Sequence, residues 1–175
     1  MAKGNQFSFL HVNKPEIDLK EDVDVYSDQV YQKGLENLDK FIANNWLIRD
    51  LSERFYIYSQ TMSGKTQYGL VCASSVEDYE NDVIKKHEKT IAKKELDRTK
   101  LTDTQSANVG PVFLTYKGGE GIQQKIDHIV KAQEPYSTVT SEDSITHTVS
   151  FSLFQYSLAV DCGSFGERFL HGGIC

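Results

Sequence analysis

Cysteine is sparse in this chain: Cys72, Cys162 and Cys175 are too few and too scattered for a disulfide framework or a paired-cysteine metal site. Long apolar runs are missing too. No stretch reaches the roughly eighteen residues that a membrane-spanning helix needs, and the opening MAKGNQFSFL has no signal-peptide core. Cytoplasm is therefore the expected compartment, with no membrane association. An excess of positive charge is absent as well. The formal net charge of −6 makes the molecule as a whole repel phosphate backbones. General nucleic-acid binding is excluded on that ground, although a local basic segment can still hold a small anion.

Several catalytic signatures are also lacking. A zinc-protease HExxH pattern beginning at His87 would need a second histidine where Ile91 stands. No other His, Cys or carboxylate cluster has metal-ligand spacing, and no serine sits in a GxSxG elbow. The SGKT at Ser63–Thr66 suggests a phosphate-binding loop, but Ser59 or Gln60 stands where that loop needs its first glycine. Its flanks are β-rich on both sides, whereas the loop should join a strand to a helix.

What is present suits one domain. A chain of 175 residues with nine Tyr and nine Phe can bury roughly 70% of its unfolded surface. In VYSDQVYQKGLENLDKFIANNW, the positions Tyr31, Leu35, Leu38 and Ile42 step as one helix face. Ser27 or Asp28 would cap its start, and Asn44-Asn45 would end it. These residues, Tyr31 included, read as core packing. RFYIYSQTMSGKTQYGLVCASS predicts two strands around a Ser63-Gly64 hairpin turn.

The following SVEDYENDVIKKHEKTIAKKELDRTK begins acidic and turns basic, as suits a helix dipole, with Ser75 and Asp78 as a capping pair. NVGPVFLTY reads as a buried strand, GIQQKIDHIVKAQ as a helix with Ile122, Ile126, Ile129 and Val130 on one side, and PYSTVT and SITHTVSFSLFQYSL as strands. Strands and helices alternate, so the fold class is α/β in the broad, mixed α+β sense. His11, alternating with apolar residues in FLHV, reads as a hydrogen-bonded, half-buried strand residue. His128 and His147 read as incidental.

The charged segment admits two readings. Lys-rich, Glu-containing helices commonly face water. If Val83 to Arg98 formed one helix, however, His87 and Arg98 would lie about 20° apart around its axis, with Lys94 between them. Such a trio could clamp an anion, because Arg offers two parallel hydrogen bonds to phosphate or carboxylate. Glu88, partly desolvated, could accept a proton from a substrate hydroxyl.

SFLHVNKPEIDL, the tyrosine-rich YSQTMSGKTQYGLVCASSVEDYENDVIKKHEKT, DRTK and NVGPVFLTY, in that order, resemble the family catalogued as domain of unknown function 1015. The likeness runs from about Gly4 to Val149. It implies that His87, Glu88, Thr90, Asp97, Arg98 and Asn108 belong to one site. By the same resemblance the fold is part of a ParB/sulfiredoxin-like mixed sheet with flanking helices. The likeness extends to free-serine kinases, with ATP, ADP or CTP and magnesium as the implied ligands. Glu88 and His87 would be catalytic, while Thr90, Asp97, Arg98 and Asn108 would hold substrate or phosphate.

Family members resemble one another in two further segments, a PYDV stretch and an ADGHHRYEAA motif, that do not occur here. Residues 1–149 thus correspond to the central part of the family domain. Ser150 to Cys175 is expected to be a divergent tail, out-of-frame or intron-derived sequence included. Three functional expectations follow: a fragment of a nucleotide-dependent phosphotransferase, inactive alone; a non-catalytic nucleotide-responsive binding or scaffold domain; or an unstable remnant.

Overall fold

The computed structural model describes Ala2 and residues 4–85, 90–116 and 120–151. It divides into two compact units. One comprises the chain up to Asp50 with Lys86–Phe113, the other Leu51–Lys85 with Leu114 onward. The class is mixed α+β, with helices and an antiparallel sheet.

In the first unit, short helix α1 (Leu10–Asn13) leads into a 3-10 turn at Pro15–Asp18. The strand expected around His11 is therefore a helical turn. Phe9 and Val12 pack into the interior from this turn while Leu10 stays exposed, and Val12 is fully buried. The hydrogen-bonded character expected of His11 holds: Nδ1 lies 2.7 Å from Asp18 Oδ1 and Nε2 lies 3.1 Å from the Asn5 carbonyl.

Helix α2 (Asp28–Ala43) begins and ends where the capping residues place it, with Ser27 at the N-cap, Asn44 at the C-cap and Asn45 left-handed. The Ser27 hydroxyl caps nothing; it is buried without a partner. The buried face runs Val30, Tyr31, Gly34, Asn37, Leu38 and Phe41, whereas Ile42 is 52% exposed. Gly34 explains the rotation. A Cβ there would lie 2.9 Å from Gln105 Nε2, 3.1 Å from Leu101 and 3.2 Å from Pro15. The missing side chain lets helix α4 (Ala92–Gln105) and the 3-10 turn approach α2 closely.

Leu38, Phe41 and Val12 form the core, flanked by Phe9, Trp46, Ala107 and Val109. Four aromatic rings form an edge-to-face chain, with centroids 4.8 Å (Phe7–Trp46), 5.4 Å (Trp46–Phe41) and 5.7 Å (Phe41–Phe9) apart. Gln105, also buried, donates to the Val12 carbonyl across 3.1 Å.

In the second unit, β1 (Tyr56–Met62) and β2 (Lys65–Val71) form the expected hairpin. Ser63 and Gly64 have φ of 50° and 75°, as a two-residue turn matching strand twist requires. SGKT is thus hairpin, not phosphate loop. Strands β3 (Ser137–Thr140) and β4 (Thr146–Phe151) complete a sheet ordered β2-β1-β4-β3. Ile57 of β1 and Ile126 of helix α5 (Glu120–Ala132) are each 1% exposed.

His147 is better connected than its sequence suggests. Tyr58 Oη is 2.7 Å from its Nδ1, and Ser141 Oγ is 3.1 Å from its Nε2. Gln60 donates to Tyr58 Oη, and Ser141 donates to the Asp143 carboxylate, whose pKa that hydroxyl lowers.

Two further readings differ from the structure. The charged segment is not one helix: α3 spans Val76–Glu80, Asp82 is left-handed, and Ile91 is the extended N-cap of α4. Asn81-Asp82 favours a turn and the β-branched Val83-Ile84 and Thr90-Ile91 disfavour helix. Ser75 does cap α3, accepting from the Asp78 amide. Nor is NVGPVFLTY a buried strand. Among the described residues 108–116 none is in a strand, and Val112 and Phe113 are 80% and 79% exposed. Pro111 lacks the amide a ladder needs, and the boundary between the units falls at Phe113.

Candidate functional site

The site forms where α4 faces α2 and the 3-10 turn. Asp97 and Leu101, one helical turn apart, share a face of α4, and Tyr31 points toward them from α2. Pro15 and Glu16 come from the 3-10 turn, and Val25 and Tyr26 from the loop before α2. Together these residues and Arg98 line a cavity of about 120 Å³.

Asp97 organises the polar wall. Its Oδ1 accepts from the Tyr31 hydroxyl at 3.1 Å. Its Oδ2 accepts from Arg98 Nε at 3.2 Å and Nη2 at 3.0 Å. Arg98 Nη1 reaches the Asn13 carbonyl at 3.4 Å. Three of the five guanidinium N–H donors are thus directed within the unit, and the side chain remains 60% exposed while that of Asp97 is 18% exposed. The fork is held at its inner edge and open at its outer one. Lys93 Nζ lies 3.9 Å from the Tyr26 ring centroid, and Lys100 Nζ 5.7 Å from that of Tyr31. Three cations therefore accompany the two wall carboxylates, Glu16 and Asp97, with Asp28 also close enough to act on Tyr31. An anion is tolerated provided Asp97 stays paired.

Tyr31 is 4% exposed, and burial pushes its phenol up to about 12, with the Asp97 hydrogen bond and charge adding to the effect. The unfolded chain ionises it near 10.0. The neutral-phenol arrangement thus stabilises the fold fully below about pH 10 and is lost as pH rises through about 12. Tyrosinate absorbance should show one late-titrating residue that Tyr31→Phe removes, and the variant should lose less stability across that window. Titration of every tyrosine together near the ordinary value would contradict this burial.

The structure brings Asp97 and Arg98 together. Thr90 is exposed before α4, its hydroxyl donating to Glu95 at 2.9 Å, and it does not line the cavity. Asn108 is exposed beyond the end of α4 and does not line it either. His87 and Glu88 lie outside the described residues. Because the helix begins only at Ala92, the trio of His87, Lys94 and Arg98 on one continuous helix does not form. Glu16, Tyr26 and Tyr31 are cavity residues that the sequence did not single out. A tyrosine within an apolar stripe is the available clue, because a buried hydroxyl needs a partner.

The family model described as "Protein of unknown function (DUF1015)" matches residues 1–151. The chain belongs to that family. The match includes every residue of the cavity wall. No curated protein matches the chain, and no solved structure does. Among the described residues, no group of three or more His, Cys, Asp or Glu could hold a metal ion, and no helix is long and apolar enough to cross a membrane.

Proposed function

We propose that the cavity beside α4 is one half of a site for a small anion, the phosphate of ATP, ADP or CTP being the leading candidate. The observation that carries this reading is Arg98: Asp97 holds two of its donors while the side chain, which lines the cavity, stays 60% exposed. A preoriented guanidinium loses little freedom when it receives an oxyanion. Arg98 is the anion contact, Asp97 and Tyr31 position it, and Lys93 and Lys100 offset the two carboxylates.

In this reading Glu88 is a general base and His87 a second cation, both preceding Thr90 in sequence. Thr90 and Asn108 border the helix that carries Arg98. The ParB/sulfiredoxin and free-serine-kinase resemblance supports phosphoryl transfer, in which positioning and charge stabilisation do most of the work. A DGHHR-type loop does not occur among the 175 residues, and losing a charge stabiliser costs roughly 100- to 1,000-fold in rate. This chain alone should therefore bind weakly and turn over little. With at most two carboxylates in the wall, magnesium would be held chiefly by nucleotide phosphates.

A nucleotide-responsive binding domain without turnover is the second reading. It is favoured by one feature of the cavity wall: Asp97 is already committed to Arg98 and Tyr31, so it serves as an anchor for the guanidinium and adds no second base beside Glu88.

Calorimetric titration of the full chain with ATP, ADP and CTP, with and without magnesium, tests the proposal. Arg98→Ala should weaken binding roughly 10- to 100-fold, the worth of a hydrogen bond to a charged group. Arg98→Lys should fall between, keeping charge but not the fork. Absence of heat with all three nucleotides in both conditions would remove the nucleotide reading. Unhydrolysed nucleotide that alters oligomeric state would favour the second reading over the first.

A further inference from the structure

We infer that His11 is a positioning residue for the Arg98 site, and that its protonation state sets the shape of the cavity wall. This rests on the anion-site reading for its functional consequence, though not for its structural one. Both ring nitrogens of His11 face acceptors: the Asp18 carboxylate at 2.7 Å and the Asn5 carbonyl at 3.1 Å. Only the doubly protonated imidazolium donates at both. Loss of one proton leaves one of the two acceptors without its donor.

The two bonds tie down the segment that builds the wall. Asn5 lies before α1, and Asp18 closes the 3-10 turn. Between them lie Asn13, whose carbonyl accepts from Arg98, and Pro15 and Glu16, which line the cavity. From the other side, α2 offers the buried Asn37, which donates to Asp18 Oδ2 at 2.8 Å and to the His11 carbonyl at 2.7 Å. His11 therefore grips both ends of a loop whose middle carries the cavity residues.

The charged group touching the ring is Asp18, from the 3-10 turn. The neighbouring helix α2 presents the uncharged Asn37, while its Lys33 pairs with Glu36 and its Lys40 lies over Trp46. From α4, Arg98 donates to the Asn13 carbonyl, and Asp97 is linked to the segment only through Arg98. The sign follows from donor count. The clamp is complete while the ring is protonated and Asp18 ionised, and it loosens as pH rises and the ring loses a proton.

The test is a pair of pH titrations on the full chain, spanning the change of charge of the His11 ring. First, the amides of Leu10–Asp18 and the Arg98 Nε–H resonance are followed by nuclear magnetic resonance. In the wild type they should shift with the midpoint of the His11 ring; in His11→Gln, which keeps a donor but cannot titrate, that shared transition should vanish. An Arg98 resonance that stays still while His11 titrates would overturn the inference. Second, sulfate is the binding probe, because its charge is constant over this range. Its affinity should fall roughly two- to tenfold from the acid to the alkaline end, the loss of one hydrogen bond, and His11→Gln should flatten that profile. A slope unchanged in His11→Gln would count against His11. Failure of sulfate to bind at any pH would instead sink the anion site, with the resonance titration still deciding the coupling.

Discussion

Replacing Phe41 with alanine is expected to destabilise the first unit by about 3–5 kcal/mol. Phe41 is 6% exposed and sits at the centre of the aromatic chain, edge-to-face with both Trp46 and Phe9. Truncation removes its own buried area and two ring contacts worth about 0.5–1.5 kcal/mol each. The cavity left behind is walled by helices that cannot collapse freely. Against total domain stabilities of about 5–15 kcal/mol, such a loss brings the unit near its limit. Trp46 is the single tryptophan of the chain, so its fluorescence reports on this unit. Denaturant melts should show the Trp46 transition at much lower denaturant in Phe41→Ala. An unchanged midpoint would mean that the aromatic chain is not the core.

The second large effect is expected at Asn37, and here the ordering of variants is the sharper test. One buried amide donates both of its hydrogens, to the His11 carbonyl and to Asp18 Oδ2. Asn37→Ala strips donors from two acceptors, and bare buried acceptors cost about 1–3 kcal/mol each. Asp18 is partly solvated, with a 24% exposed side chain, so a total of about 2–4 kcal/mol is expected. Asn37→Asp should be worse than alanine despite its near-identical shape, because it sets a second carboxylate against Asp18. The gap should narrow in acid, as either carboxyl takes a proton. Equal melting of the two variants would show that Asn37 fills space rather than binding Asp18.

What was legible in the sequence was what local chemistry decides. The Ser63-Gly64 turn, the ends of α2 and the Ser75 cap rest on backbone conformations and short-range hydrogen bonds. The rotation of α2 was not legible. Gly34 adds nothing to a hydrophobic stripe, yet it is buried because α4 and Pro15 approach there. A stripe drawn through Ile42 therefore pointed the wrong way. NVGPVFLTY has the composition of a strand, but composition cannot supply a neighbouring edge to pair with. At the site, Arg98 stood out within the charged segment, and Asp97 only through the family resemblance. Tyr31 did not, since its partner lies 66 residues away.

The most direct measurement of the central claim is the Arg98 Nε–H resonance of the full chain during titration with inorganic phosphate at constant pH. A saturable shift of that resonance, weakened in Tyr31→Phe, is the expected result. A resonance that does not move while phosphate reaches concentrations that perturb exposed lysines would show that Arg98 serves only its bond to Asp97.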